Sequence, residues 1–227
     1  MPSNLPIKKP PPSPGEDFAE IALQVAEGVV EAVIDLNLDN PLLQAVPIAP
    51  SIVRVVRAVR GVRDFLLEKK LLRFLSEMNA VPQAEKSEFI QRMEKEEKFR
   101  EEVGEHLLLL IERMEHMEKP TVLARFFRAL LEGKIDYSTF QKLAAALDGF
   151  RWPDLEALLN FYSEEPDEAL LKPEKVQPLL FCGLVEMNVG FLARRDHKSG
   201  FYETELGRLF VEIGLNFSIE QSPDFSA

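Results

Sequence analysis

The chain has 227 residues, about one and a half times the roughly 150 that serve as a soft guide to one domain, so one or two domains fit and four do not. With 46% hydrophobic and 29% charged residues it can bury a core, which excludes a disordered or collagen-like chain. A net charge of −11 argues against a general nucleic-acid coat, and one cysteine with three scattered histidines excludes a disulfide framework and argues against a protein-built zinc site.

Residues 1–16, MPSNLPIKKPPPSPGE, hold six of the sixteen prolines. Lys8 and Lys9 sit mid-segment with no apolar run directly after them, so this does not read as a secretory signal. Proline locks φ and removes a donor, which predicts an extended, solvated, disordered tail. Pro-Pro-Pro-Ser-Pro is a run of the kind SH3-type readers take, although a plain flexible tail is the simpler reading. Nowhere do about 18 apolar residues follow one another; the nearest approach, from Leu42 to Val53, is broken by Pro47 and Pro50. A spanning helix is therefore not expected, and attachment to a membrane surface stays open.

The net charge conceals segregation. Residues 1–50 carry 2 basic and 7 acidic groups, whereas residues 51–80 carry 7 basic and 3 acidic. An acidic helix is expected over 17–38, where Phe18, Ala22, Val25, Val29, Ala32 and Leu36 recur in near-heptad spacing. A basic amphipathic helix is expected over 51–79. Its Arg54, Arg57, Arg60 and Arg63 step every third residue and spread over about half of the helix surface. Val55, Val59, Val62 and Leu66 fall opposite them. From Leu71 onward Leu72, Phe74, Leu75 and Met78 shift the apolar face, so a change of packing partner is expected near Glu68-Lys69-Lys70. Three readings compete for the four arginines: an anionic membrane surface, phosphates of nucleic acid, or pairing with Glu20, Glu27, Glu31 and Asp35 of the acidic helix. Surface pairs contribute only ~0–1 kcal/mol each, so such pairing would set orientation more than stability.

Residues 82–118 read as long helices, starting at Pro82 and continuing through Phe89, Ile90, Met93, Phe99, Val103, Leu107, Leu110, Ile111 and Met114. The run Leu107–Ile111 is apolar on all sides and predicts the most buried helix. Glu94, Glu96, Glu97, Glu101, Glu102 and Glu105 form its wet side. Glu102–His106 and Glu112–His116 are spaced i, i+4 and lie out of line on one helix, unlike the i, i+3 pairs of di-iron bundles, so no metal is expected.

Short helices are expected over 120–162. Pro120 opens the first, Gly133 caps it, and Asp136 or Ser138 caps the next, which buries Phe140, Leu143, Ala144 and Leu147. Glu-Gly-Lys-Ile-Asp-Tyr followed by Phe-x-x-Leu resembles the helix-loop-helix of tellurite-resistance TerB-like bundles, without that family's acidic metal cluster. The resemblance implies a fold and no activity. Trp152-Pro153 begins a further helix to about Tyr162, with Trp152 expected as a buried anchor.

After the turn-rich Ser163–Asp167 comes a module over 163–217, and then a flexible tail over 218–227. A helix with an internal proline, Pro178, runs to Gly183-Leu184-Val185-Glu186. A hairpin turning around Asp196–Gly200 and a helix capped by Thr204 follow. This order, ending in Tyr-x-Thr-Glu-Leu-Gly-Arg, resembles the winged-helix modules of bacterial regulators. The resemblance implies that Leu184, Val185, Tyr202, Leu206 and Phe210 are core and that Gly207 lets the last helix approach closely. Arg194, Arg195, His197 and Lys198 would be the wing contacts. Residues 163–227 carry 6 basic and 12 acidic groups, less positive than a DNA-reading surface requires. Tyr-x-Thr-x-Leu-Gly-x-x-Phe behind a helical body also resembles the abortive-infection Abi-alpha proteins of bacteria, which would imply a role in halting phage propagation at the membrane.

No phosphate loop, nucleophile elbow or metal-spaced cluster is present in the sequence, and Cys182 reads as a small buried hydrophobe. The fold class is mainly α, a multi-helix bundle with a C-terminal helix–β-hairpin–helix module. The expected function is that of a non-enzymatic, cytoplasmic bacterial interaction protein with no cofactor or small-molecule substrate, peripheral to the inner face of the membrane if the arginines face lipid. Its partners are a protein, a second copy or an anionic membrane surface. The alternative is a winged-helix DNA-binding regulator.

Overall fold

The computed structural model describes residues 62–79, 88–187 and 200–217. Among these it contains eight helices and one antiparallel hairpin. The Pro-rich tail, the acidic helix over 17–38, residues 51–61 of the basic helix, the Pro82 start, the hairpin turn and the tail over 218–227 lie outside the described residues.

Helix α1 (Val62–Asn79) ends where the expected basic helix ends. Leu71, Leu72, Phe74, Leu75 and Met78 are buried, whereas Leu66 is 42% exposed. Of the face expected before Glu68, Leu66 is the described side chain, and it is exposed where the face after Glu68 is buried; Val55 and Val59 lie outside the described residues. Helices α2 (Glu88–Lys95) and α3 (Glu97–Arg113) divide at Glu96, whose backbone is extended at φ −117° and ψ 90°. All six glutamates of the expected wet side are exposed.

Helix α4 (Lys119–Leu131) is the centre of the molecule. Ten of its thirteen residues are buried, which displaces Leu107–Ile111 as the most buried helical stretch. The reason is position. Helix α3 packs on α1, α2 and α5 (Tyr137–Gly149) from one side, so Leu109 remains 58% exposed while Leu107, Leu110 and Ile111 are buried. Helix α4 instead lies between α1, α5 and the C-terminal turn. Phe127 meets Phe74 of α1, Phe89 of α2 and Phe140 of α5 at ring distances of 6.1, 6.2 and 5.6 Å.

Sequence chemistry sets the helix ends. Gly133 adopts φ 71°, and the amides of Gly133 and Lys134 donate back to Leu130 and Ala129, a paired closure that an L residue at that φ would strain. Asp136 then caps α5, its Oδ1 accepting from the Thr139 amide at 2.7 Å. A 3₁₀ turn (Trp152–Asp154) leads into α6 (Leu155–Phe161). Trp152 is only half-buried, contrary to the expected buried anchor, because Phe150 takes the interior position beside Phe210 at 5.5 Å.

Helix α7 (Pro173–Phe181) accommodates Pro178 within it. It closes at Gly183 with the same paired bonds, to Leu180 and Leu179. Strands β1 (Val185–Met187) and β2 (Phe201–Glu203) pair with Val185 opposite Glu203 and Met187 opposite Phe201. Period-two alternation turns Phe201 inward and leaves Tyr202 37% exposed, so Phe201 rather than Tyr202 serves the core. Helix α8 (Glu205–Leu209) continues as a π-helical turn through Gly214.

Tyr162, buried at the end of α6, ties these pieces together. Its hydroxyl donates to the Leu184 carbonyl and accepts from the Thr204 amide at 3.2 Å. Thr204 Oγ1 donates to the Gly183 carbonyl at 2.9 Å and accepts from the Gly207 amide at 2.9 Å, capping α8. A Cβ on Gly207 would collide with the Tyr162 hydroxyl and the Leu184 carbonyl, so the close approach expected at Gly207 has named partners. Gly207→Ala is expected to cost about 3 kcal/mol, the upper range for overpacking. Tyr162→Phe should cost about 1–3 kcal/mol by leaving two buried backbone groups unpaired. Gly149→Ala, whose Cβ would sit an ordinary 3.8 Å from Cys182 Sγ, should be tolerated. Urea unfolding midpoints of the three variants check this ranking.

Candidate functional site

Arg54, Arg57 and Arg60 lie outside the described residues, as do Arg194, Arg195, His197 and Lys198. Arg63 belongs to the first turn of α1 by its backbone. What the structure adds is the surroundings of that helix and a second surface, on the far side of α4's N-terminus.

Along α1, Leu71, Leu72, Phe74, Leu75 and Met78 enter the core, Leu67 packs partly against it, and Leu66 is exposed. Lys70 Nζ donates to the Glu112 carbonyl at 2.9 Å, and Arg73 bonds the Met117 carbonyl and the Glu118 carboxylate. These contacts clamp α1 to the end of α3. One turn before Lys70 stands exposed Leu66, and three residues before Glu112 stands exposed Leu109. Each of the two helices that Lys70 joins thus carries one exposed leucine. Glu68 of α1 is buried, and burial pushes its carboxyl above the ordinary value.

The second surface is a groove built where the end of α5, the 3₁₀ turn, the start of α4 and α7 converge. It comprises two adjoining clefts of about 700 and 570 Å³ that share Gly149 and Arg151. In the first, His116 and Trp152 stack at 4.6 Å and 14°. His116 Nδ1 accepts from the Glu118 amide at 3.2 Å, which places the ring proton of the neutral imidazole on Nε2. Arg113 pairs with Asp148, and Arg151 grips Asp154 through two bonds of 2.9 Å.

Lys119 is buried in the wall of this cleft and donates to the Asp148 carbonyl at 3.2 Å. It acts as a cationic cap on the last turn of α5, where a positive charge suits the helix dipole. Burial lowers its ammonium from the ordinary 10.5, opposed by Asp148 and Glu115. Cys182, in the second cleft, is half-buried, and burial raises its thiol above the ordinary range, against nucleophilic use. At the rim Phe181 is 81% exposed.

Sequence reasoning missed Lys119, the His116–Trp152 stack and the exposure of Phe181. The signal for Phe181 was weak but present. It precedes Cys182-Gly183, so it sits on the closing turn of a helix whose inward positions are Val176 and Leu179.

Among the described residues no helix is long and apolar enough to cross a membrane, and no group of three or more His, Cys, Asp or Glu side chains could hold a metal ion. Compared with protein-family models, with curated proteins and with solved structures, the chain matches none.

The lowered Lys119 has a thermodynamic consequence. Below its folded-state pKa both states hold the proton and stability is flat; between that value and 10.5 the unfolded chain binds more protons, so stability rises with pH. Lys119→Met is expected to reduce that alkaline rise, leaving the contribution of Lys70, whose ammonium burial also lowers, set against that of Cys182, whose thiol burial raises. Urea unfolding between pH 8 and the ordinary lysine value of 10.5 measures it in both proteins.

Proposed function

We propose that the protein is a non-enzymatic interaction protein that docks through the N-terminal half of its basic helix onto an anionic membrane surface. The observation that carries this reading is the split in α1: Leu71 to Met78 enter the core, while Leu66 stays exposed together with Leu109 of α3. Apolar side chains beside the sequence stripe of Arg54, Arg57, Arg60 and Arg63, expected to be helical from its periodicity, are the combination that holds interfacial helices on anionic lipid. Each basic residue near such a surface contributes about 1 kcal/mol.

The resemblance to abortive-infection proteins extends the proposal to phage defence at the inner face of a bacterial membrane. The winged-helix resemblance is supported by the order α7, β1, β2, α8, and by no contact to nucleic acid. It supplies the competing outcome of the experiment.

Purified protein is titrated with vesicles of equimolar phosphatidylcholine and phosphatidylglycerol, with pure phosphatidylcholine vesicles, and with duplex DNA across a salt series. Binding is expected to the anionic vesicles alone. Replacing the four arginines by Gln should weaken it on the order of a thousand-fold, which is about 4 kcal/mol. Leu66→Ser with Leu109→Ser should weaken it further without altering the fold. Duplex binding with a steep salt slope, lost in Arg194→Gln with Arg195→Gln, would replace this reading by that of a DNA-binding regulator. Absence of both kinds of binding, with unfolding of the arginine variant, would assign the arginines to Glu20, Glu27, Glu31 and Asp35.

A further inference from the structure

The groove at Gly149 and Arg151 has the chemistry of a receptor for a proline-rich strand. Polyproline II segments pack rings against aromatic plates and present carbonyl acceptors, because proline has no amide to donate. The groove offers the complements. The Trp152 indole is half-exposed and backed by His116, so its plane is held; Pro153 lines the same cleft, and exposed Phe181 and Pro178 line the adjoining one. Gly149 leaves the shared floor without a side chain. The Trp152 indole N–H and the Gln177 amide form no hydrogen bond among the described residues, while Arg151 spends Nε and one terminal nitrogen on Asp154.

Charge points the same way. Arg113 and Arg151 are neutralised by Asp148 and Asp154, and Lys119 is turned to a backbone carbonyl. Exposed Glu115 and Glu174 stand at the rims; Glu115 acts on the Lys119 ammonium, which leaves Glu174 as the carboxylate with no ion pair among the described residues. The ligand that suits such a groove is rich in proline and carries lysine.

We propose that this groove is the seat of the chain's own segment from Leu5 to Pro14, LPIKKPPPSP, docked within the same molecule. The segment unites five prolines with Lys8 and Lys9, the two basic residues of the first 50. The chain between Pro14 and Val62 reaches roughly 150 Å when fully extended, so the tether does not forbid the contact. A tether of this kind holds the effective concentration on the order of millimolar, enough to fill a weak site.

Trp152 is the chain's only tryptophan and therefore reports on the groove directly. In the full-length protein, acrylamide quenching of Trp152 is compared with that in two variants. One carries Pro10, Pro11, Pro12 and Pro14→Ala; the other carries Lys8→Glu with Lys9→Glu. Both are expected to show a higher quenching constant and red-shifted emission, with circular dichroism unchanged. A synthetic peptide spanning Leu5 to Gly15 should restore protection in the proline variant, and should fail to do so once Phe181→Ser is added. Unchanged quenching in both variants, with no response to the peptide, would overturn the proposal. Protection that grows with protein concentration, with a doubled mass by light scattering, would place the segment in a second copy and overturn docking within one molecule.

Discussion

Phe126 and Phe127 are neighbours on a helix that is buried nearly all round, and the rest of the fold is arranged to cover both. Consecutive helical residues point about 100° apart, so no single partner can bury the pair. Phe127 is enclosed by rings from α1, α2 and α5, whereas Phe126 lies 5.4 Å from Phe210 at the far end of the chain. The C-terminal turn is thereby drawn onto the centre of the bundle. It comes so close that a Cβ on Gly214 would meet the Phe126 ring at 2.7 Å. Burying α4 in this way also forces its polar positions to find partners. Arg125 donates to the Gly214 carbonyl at 2.9 Å and to Glu77 of α1 at 3.0 Å, and Arg128 approaches the same carboxylate at 3.5 Å. These half-buried pairs orient the three elements about α4; the apolar contact holds them there.

Both surfaces with functional character are consequences of that arrangement. Because α4 takes the central place, α3 is left at the side with Leu109 uncovered, and Leu66 of α1 is likewise uncovered. At the other end, the start of α4 meets the end of α5, and Lys119 satisfies a carbonyl of that helix terminus. The groove beside it is the gap left where the 3₁₀ turn and α7 pass over this junction. The Tyr162 hydroxyl donates to the Leu184 carbonyl and so fixes the turn that closes α7, next to which Phe181 is exposed.

Local chemistry made much of this readable beforehand. Pro120 as a helix start, Gly133 as a stop, Asp136 and Thr204 as caps, and the inward set Phe140, Leu143, Ala144 and Leu147 all depend on near neighbours in the chain. The candidate sites were less readable. The arginine stripe and the basic cluster from Arg194 to Lys198 rest on spacing alone, and the groove residues belong to four separate elements with no shared motif.

The amino-acid sequence by itself determined the helix ends set by Pro120, Gly133, Asp136 and Thr204, though not the break at Glu96, and showed that charge is segregated into a basic island between acidic blocks. Those properties arise from φ restriction, capping and periodicity within a few residues. Only the tertiary structure decided which apolar stripe would win full burial. Leu107–Ile111 and Lys119–Leu131 are both rich in large hydrophobes, yet only the second has neighbours on every side. Likewise Trp152 and Tyr202 yielded their inward positions to Phe150 and Phe201. Burial is a competition for a limited interior, and its outcome depends on the packing of all the helices together, which no local pattern contains.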